Sequence, residues 1–218
     1  MSAICTSFDT FFDAWCRQVG ALCFLLTRDA RGADYACFQS FLRLGASKDP
    51  AIGAEDARRL LFSSAVRLCD DFFLKKPHRM PSRTRLQEHN PPFPITDALY
   101  GFLKLPFARR AALILHHFGF SVSDIALLLH KRESAVRKLI ADPGIPGWQE
   151  AVDSTLMTEG EAQMLSDRIY ERFAERSVGV ENFIHDARNA FDRAAPYLAL
   201  FVLALALFAV WFVRRMPA

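Results

Sequence analysis

The sequence predicts an all-α protein with two small helical domains and a C-terminal membrane-spanning helix. Of its 218 residues 51% are hydrophobic, and along most of the chain they recur at intervals of three and four. Few segments show the alternation of apolar and polar residues, with a period of two, that indicates a strand. A chain of this length has room for two small domains joined by a linker.

Three amphipathic helices are predicted in residues 1–76, which we expect to form the first domain. They cover residues 8–27, 33–44 and 55–74. Each carries apolar side chains at helical spacing, a pattern typical of a helix that packs one face against a core.

All five cysteines lie in the predicted first domain: Cys5, Cys16, Cys23, Cys37 and Cys69. They are odd in number, form no CxxC pair and have mostly apolar neighbours, which favours buried reduced thiols over metal or redox sites. The acidic start of the chain does not resemble a secretory signal. The apolar run at residues 19–26 is too short to cross a bilayer.

Residues 75–96 are basic, rich in proline and without periodicity, which predicts an extended linker, with residues 77–96 lying between the domains. The cations of this stretch are dense enough to neutralise several DNA phosphates: Lys75, Lys76, Arg79, Arg83 and Arg85. A solvated linker, whose charge merely keeps it soluble, explains the same residues equally well.

The most specific pattern lies in residues 97–140. Pro106 can open a helix because the first helical residue needs no N–H partner, and Gly119 can close that helix in the left-handed conformation. Ser121 then starts a second helix, with Asp124 at the spacing of a capping box.

A polar turn at residues 130–132 leads to a further short helix. This helix is predicted to bury Ala135, Val136, Leu139 and Ile140. Its outer face then consists of Glu133, Ser134, Arg137 and Lys138. Two short helices and a tight turn, the second helix presenting basic side chains, predict a helix-turn-helix DNA-binding domain over residues 97–148.

A plain helical hairpin in a globular core would account for the apolar spacing equally well. It accounts less easily for Lys131 and Arg132, which stand just before the N-terminus of the last helix. Cations at that end of a helix are unfavourable unless an anion compensates them.

The order LP, then Arg110, then GFSVSDIALLL, then SAVRKLI resembles the promoter-binding last domain of bacterial RNA polymerase sigma factors. The most similar type is the short, extracytoplasmic-function kind. The chain departs from the family pattern in the turn: His130 replaces the usual glycine, Lys131 a buried residue and Arg132 a serine cap.

The first domain resembles the other main sigma domain, which docks on polymerase and melts the promoter. ARRLLFSSAVRLCDDFFLKK is similar to the melting helix, whereas Tyr35, Phe38 and Gln39 replace the acidic-Gln-Glu pattern of the docking helix. The resemblance implies polymerase contacts by Asp34, Gln39 and Arg43. It implies DNA contacts by Arg67, Lys75, Lys76, Lys131, Arg132, Glu133, Ser134, Arg137 and Lys138.

Residues 149–193 are acidic, with 10 acidic and 5 basic residues, whereas residues 1–148 have 14 acidic and 20 basic ones. The basic part is therefore the candidate for a polyanionic partner. Thr158 and Glu161 form a second capping box and open a helix in the acidic segment. We expect this juxtamembrane segment to act as a spacer; folding back onto the basic domains is the alternative.

Residues 194–213 form a run of 20 residues without a charge, about 30 Å long as a helix, which predicts a transmembrane anchor in the lipid bilayer. Tyr197 and Trp211 lie near its opposite ends, as interfacial aromatic residues do. Arginines flank both ends, so charge does not decide the orientation. Reduced cysteines and a DNA-reading domain favour a cytoplasmic location for the N-terminal part.

Enzymatic function is not expected. The six histidines show no metal-ligand spacing, and the strings GxxxxGK, GxSxG and HExxH do not occur. The sequence therefore predicts neither a metal nor another cofactor.

The combined expectation is a membrane-tethered, sigma-like transcription initiation factor whose partners are promoter DNA, the RNA polymerase core and the bilayer. Release by a protease or by a membrane-signalling partner is a further expectation. The alternative is a degenerate sigma relative, acting as a membrane-anchored DNA-binding regulator or as a protein-interaction module in which the helix-turn-helix is only a scaffold.

Overall fold

The computed structural model describes residues 2–46, 53–75, 81–88 and 93–175. Every regular element in these ranges is helical, which confirms the all-α prediction for this part of the chain. The helices are α1 (Ser2–Thr27), α2 (Ala30–Gly45), α3 (Ala54–Lys75), α4 (Arg83–Glu88), α5 (Asp97–Leu103), α6 (Phe107–His117), α7 (Val122–Leu128), α8 (Glu133–Leu139) and α9 (Trp148–Asp153).

Residues Met1–Ile169 belong to one compact unit, and residues 159–169 within it are helical. Of the second unit, which starts at Tyr170, the structure describes residues 170–175, also helical. Whether the two predicted domains are independent units stays a prediction.

Helices α1, α2 and α3 pack on one another as a three-helix bundle. The ring of Phe41 on α2 packs against Phe8 and Phe12 of α1, with centroids 6.3 and 4.9 Å away. The last turns of α1, residues 21–27, are buried on all sides. The apolar run at residues 19–26 therefore belongs mainly to the core of the bundle.

The second helix starts three residues earlier than predicted, at Ala30. Asp29 is its N-cap, and its carboxylate accepts a hydrogen bond of 2.7 Å from the Gly32 N–H. Gly32 is required inside the first turn because a Cβ there would lie 2.6 Å from the Phe72 ring of α3. The bundle thus closes where α2 has no side chain.

Four cysteines, Cys16, Cys23, Cys37 and Cys69, are buried free thiols, as predicted. Hydrogen bonding with Cys37 and Cys69, together with burial, raises the pKa of Cys23 well above its usual range. Burial raises the pKa of Cys16 to about 11. These two thiols are therefore protonated at neutral pH. The side chain of Cys5 lies outside the described residues.

The stretch predicted as an extended linker contains helix α4, so the prediction is wrong for residues 83–88. The Ser82 hydroxyl accepts from the Arg85 N–H at 3.2 Å, and Leu86 is buried. Further along, the Phe93 ring packs edge-on against Phe24 of α1 at 4.9 Å. A helix of six residues has too few turns to show a hydrophobic period in the sequence.

Helix α6 ends where the sequence predicted and begins one residue later, at Phe107. Pro106 is its N-cap residue, and Gly119 follows its end with a φ of 84°. The Phe120 N–H donates to the Leu115 carbonyl and the Gly119 N–H to the His116 carbonyl, each at 3.0 Å. These two bonds form a Schellman motif, which glycine favours because it adopts positive φ without a Cβ clash.

Arg110 of α6 is completely buried and joins the bundle to the following helices. Its guanidinium donates to the carbonyls of Leu103 (2.9 Å) and Leu105 (2.7 Å), at and just after the end of α5. It also donates to the Leu26 carbonyl in the last turn of α1, at 3.0 Å. These helix-terminal carbonyls carry partial negative charge, which compensates the buried cation.

Residues 149–169, which include most of α9 and the segment after it, fold back onto the bundle. The expectation of a spacer is therefore wrong for these residues. The Arg17 Nε donates to the Met157 carbonyl at 2.7 Å, and Leu165 and Ile169 are buried. A Cβ on Gly20 of α1 would lie 2.5 Å from the Met157 Cε. The predicted capping box opens this helix: the Glu161 N–H donates to Thr158 Oγ1, and the Thr158 N–H donates to Glu161 Oε2.

Across the described ranges, no helix is long and apolar enough to cross a membrane. The predicted transmembrane segment, residues 194–213, lies outside the described residues.

Replacing Arg110 by methionine keeps an unbranched apolar stem, shortens the side chain and removes every donor. Three buried or half-buried carbonyls lose a partner, so we expect the free energy of unfolding to fall by about 3–5 kcal/mol. Arg109→Met is the matched control, since Arg109 donates to the Ala141 and Asp142 carbonyls at 3.4 and 3.2 Å near the surface. It should cost about 1 kcal/mol or less.

The measurement is chemical unfolding of residues 1–193, followed by circular dichroism. Equal losses for the two variants would contradict the role assigned to Arg110.

Candidate nucleic-acid interface

The turn between α7 and α8 repeats the motif that ends α6. The Lys131 N–H donates to the Ala126 carbonyl at 2.9 Å and the His130 N–H to the Leu127 carbonyl at 3.3 Å. His130 takes the left-handed position with a φ of 51°, where the sigma pattern has glycine. The turn keeps this geometry without glycine, at a conformational cost of about 1–2 kcal/mol.

Helix α7 starts at the predicted cap. The Ser121 Oγ accepts from the Asp124 N–H at 3.1 Å and donates to the Asp124 carboxylate at 2.5 Å. Ile125 and Leu128 are buried, and Leu129 is half-buried. The start of the motif is thus fixed by residues within one helical turn.

Helix α8 touches the core through one fully buried side chain, Val136. The prediction that Ala135 is buried is wrong, because this residue is exposed; Leu139 and Ile140 are half-buried. A helix of seven residues that rests on a single anchor presents most of its surface to solvent. The exposed positions include the four predicted DNA-contacting residues of the helix: Glu133, Ser134, Arg137 and Lys138.

The cations of this region have few partners within the protein. The side chains of Lys131, Arg132 and Lys138 make no hydrogen bond or ion pair with any described residue, and the Arg137 guanidinium approaches Glu133 at 3.4 Å. Arg132 occupies the N-cap position of α8 without a capping side-chain bond. Cations at the positive end of a helix favour an external anion.

Helix α3 supports the helix-turn-helix from the side. The Phe62 ring packs against Phe120 with centroids 4.8 Å apart, and the Arg58 guanidinium lies over the same ring at 4.1 Å. The Arg59 Nε donates to Asp124 at 2.9 Å. The helix-turn-helix is therefore held by the bundle as well as by its own turns.

Hydrogen bonds from Ser121 and Arg59 lower the pKa of the Asp124 carboxyl below its usual value of 3.8. Because the folded pKa is below the unfolded one, this carboxylate stabilises the fold above its usual pKa. The stabilisation is lost as the pH falls through the lowered value.

The candidate DNA contacts of the first domain have different positions. Arg67 is exposed on α3 and lines the same groove as Lys131, so the structure brings these two predicted residues together. The side chain of Lys75 and the whole of Lys76 lie outside the described residues.

The candidate polymerase contacts lie on α2, and one of them is engaged. Asp34 accepts two hydrogen bonds from Arg168, at 2.8 and 3.1 Å, and hydrogen bonding with Asp34 raises the pKa of Arg168. The same guanidinium lies 5.0 Å from the centre of the Phe38 ring. Gln39 is half-buried, and Arg43 is exposed. The folded-back segment therefore covers part of this face.

Sequence reasoning did not single out Arg58, Arg59, Ser63 or Asp70 as part of the site. Arg58 and Arg59 join α3 to the helix-turn-helix. Ser63 and Asp70 line, with Arg67, the groove between α3 and the turn. No local pattern signals Arg58 and Arg59, because their partners lie 60 and 65 residues further along the chain.

Within the described ranges, no three His, Cys, Asp or Glu side chains are grouped so that they could hold a metal ion. No family model, curated protein or solved structure matches the chain.

Proposed function

We propose that the chain is a sigma-like transcription factor that binds promoter DNA through helix α8 and is tethered to the cytoplasmic membrane face. The observation that carries the proposal is the surface of α8. Arg137 and Lys138 are exposed on a helix whose one fully buried side chain is Val136, with Lys131 and Arg132 at its start. A short exposed helix with these side chains suits the major groove and its flanking phosphates.

Specific contacts follow from the chemistry of the exposed face. Arg137 and Lys138 can donate to guanine edges or to phosphates, Glu133 can accept from a cytosine amine, and Ser134 can serve either role. The sigma-like pattern of caps and turns supports a promoter as the target, with the first domain recruiting polymerase.

A second candidate is a DNA-binding regulator that does not recruit polymerase. Two observations favour it: Asp34 of the expected docking face is paired with Arg168, and α3 packs against α7 instead of standing apart from it. Both candidates share the DNA interface and differ in the role of α2.

The tether is proposed from residues 194–213. We expect the full-length chain in the membrane fraction of cells and a chain ending at residue 193 in the soluble fraction, because a 20-residue uncharged helix matches the bilayer core. Immunoblotting of the two fractions measures this. The same distribution for both chains would contradict the anchor.

Replacing both Arg137 and Lys138 by alanine should weaken duplex binding roughly tenfold or more at about 0.1 M salt and lower the salt slope by up to about 2. Fluorescence anisotropy with a pool of random-sequence duplexes measures both quantities. The matched control is the pair Arg31→Ala and Arg43→Ala on α2, also exposed and without a described partner. If binding and slope equal those of the control, α8 does not belong to the interface.

Co-purification from a bacterial lysate separates the two candidates. If α2 docks on polymerase, the core subunits should accompany the full-length chain in mild detergent. Arg168→Ala should increase their yield because it frees Asp34. Arg172→Ala, which removes the same charge four residues further on, is the control; Arg172 pairs with Glu175.

Absence of the core subunits from all three samples, with DNA binding retained, would favour the regulator. Loss of both activities would end the transcription proposal.

A further inference from the structure

A groove of about 320 Å³ lies between α3 and the turn of the helix-turn-helix. Its α3 wall includes Ser63, Arg67 and Asp70, and its opposite wall includes His130 and Lys131. We call it the α3–turn groove. It combines residues that the sequence assigned to two separate functions, promoter melting and duplex reading.

The cations of the groove differ from other cations of α3. Arg58 and Arg59 make side-chain hydrogen bonds with Phe118 and Asp124, whereas the side chain of Arg67 makes no hydrogen bond or ion pair with any described residue. Lys131 on the opposite wall is likewise exposed and without a described partner. Two unpaired cations thus border one groove, and the one acid among its lining residues is Asp70.

Both walls of the groove are held rigidly. The Schellman bonds of the turn fix the backbone at His130 and Lys131, and Phe62 and Arg59 fix α3 against the start of α7. A site whose walls are already ordered loses little conformational entropy when a ligand enters. The groove is therefore suited to an anion that arrives with a fixed geometry.

The position of the groove indicates which anion that is. Lys131 stands two residues before α8, so the groove continues directly into the surface proposed to read the duplex. Phosphates on either side of a major groove are the contacts that position a recognition helix. The carboxylate of Asp70 weakens the attraction for a small free anion, which would gain nothing from α8.

We propose that the α3–turn groove holds a backbone phosphate of the same duplex that α8 enters, gripped by Arg67 and Lys131. This rests on the proposed DNA-binding function. It assigns Arg67 to the duplex beside the recognition helix and not to a separate melted strand. The three-helix bundle then acts as a second support that sets the angle of α8 on the DNA.

The test uses the full-length chain in mild detergent, a random-sequence duplex of about 16 base pairs and a single strand of the same length. Arg67→Ala and Lys131→Ala should each weaken duplex binding several-fold at about 0.1 M salt and lower the salt slope by about 1. The effect on the single strand should be smaller. Arg31→Ala is the control for loss of one exposed cation outside the groove.

Asp70→Asn should change the duplex affinity in the opposite direction. Removing the one acid from the groove should strengthen duplex binding about two- to fivefold at low salt, because a like charge near the phosphate is lost. If Asp70 only supported the fold, the Asp70→Asn substitution would not raise the affinity for the duplex. Circular dichroism of each variant checks that the fold is retained.

Each contrary result has a distinct meaning. If Arg67→Ala matches the Arg31→Ala control while the α8 variant loses binding, the groove proposal fails and the proposed function stands. A loss confined to the single strand would assign Arg67 to melted DNA and overturn the groove. Tight binding of inorganic phosphate alone, abolished by Arg67→Ala, would make it a small-anion site. If no variant changes binding, both proposals fail.

Discussion

The arrangement of the described helices depends on one buried cation. Arg110 donates to carbonyls at the ends of α1 and α5, which belong to parts of the chain 77 or more residues apart. Arg28, at the end of α1, donates in turn to the Leu105 carbonyl at 3.3 Å. Helix ends leave carbonyls without partners, and here one guanidinium satisfies two such ends at once. The helix-turn-helix is thereby attached to the bundle through backbone groups, whose positions do not vary with side-chain rotamers.

The features that the sequence predicted correctly are those whose cause is local. The caps at Ser121 and Thr158, the helix end at Gly119 and the exposure of Arg137 and Lys138 each depend on residues within about four positions. Capping chemistry and helical periodicity operate over that distance, so a single sequence suffices to recognise them.

The features that the sequence did not predict depend on residues far along the chain or on a backbone conformation that the local residue disfavours. Helix α4 is too short for periodicity, and the fold-back of residues 149–169 depends on α1 and α2, more than 100 residues earlier. Ala135 fits an apolar pattern but faces no partner, since Val136 alone fills the contact with the core. At His130 the backbone bonds of the turn impose a conformation that the residue itself disfavours.

The contact between Asp34 and Arg168 also has a consequence in time. The two residues are 134 positions apart, and at about 5–20 residues per second the ribosome adds the second about 7–27 seconds after the first. During that interval the surface of α1 and α2 that Met157 and Arg168 later contact is exposed to solvent. Slower translation lengthens the exposure of this surface.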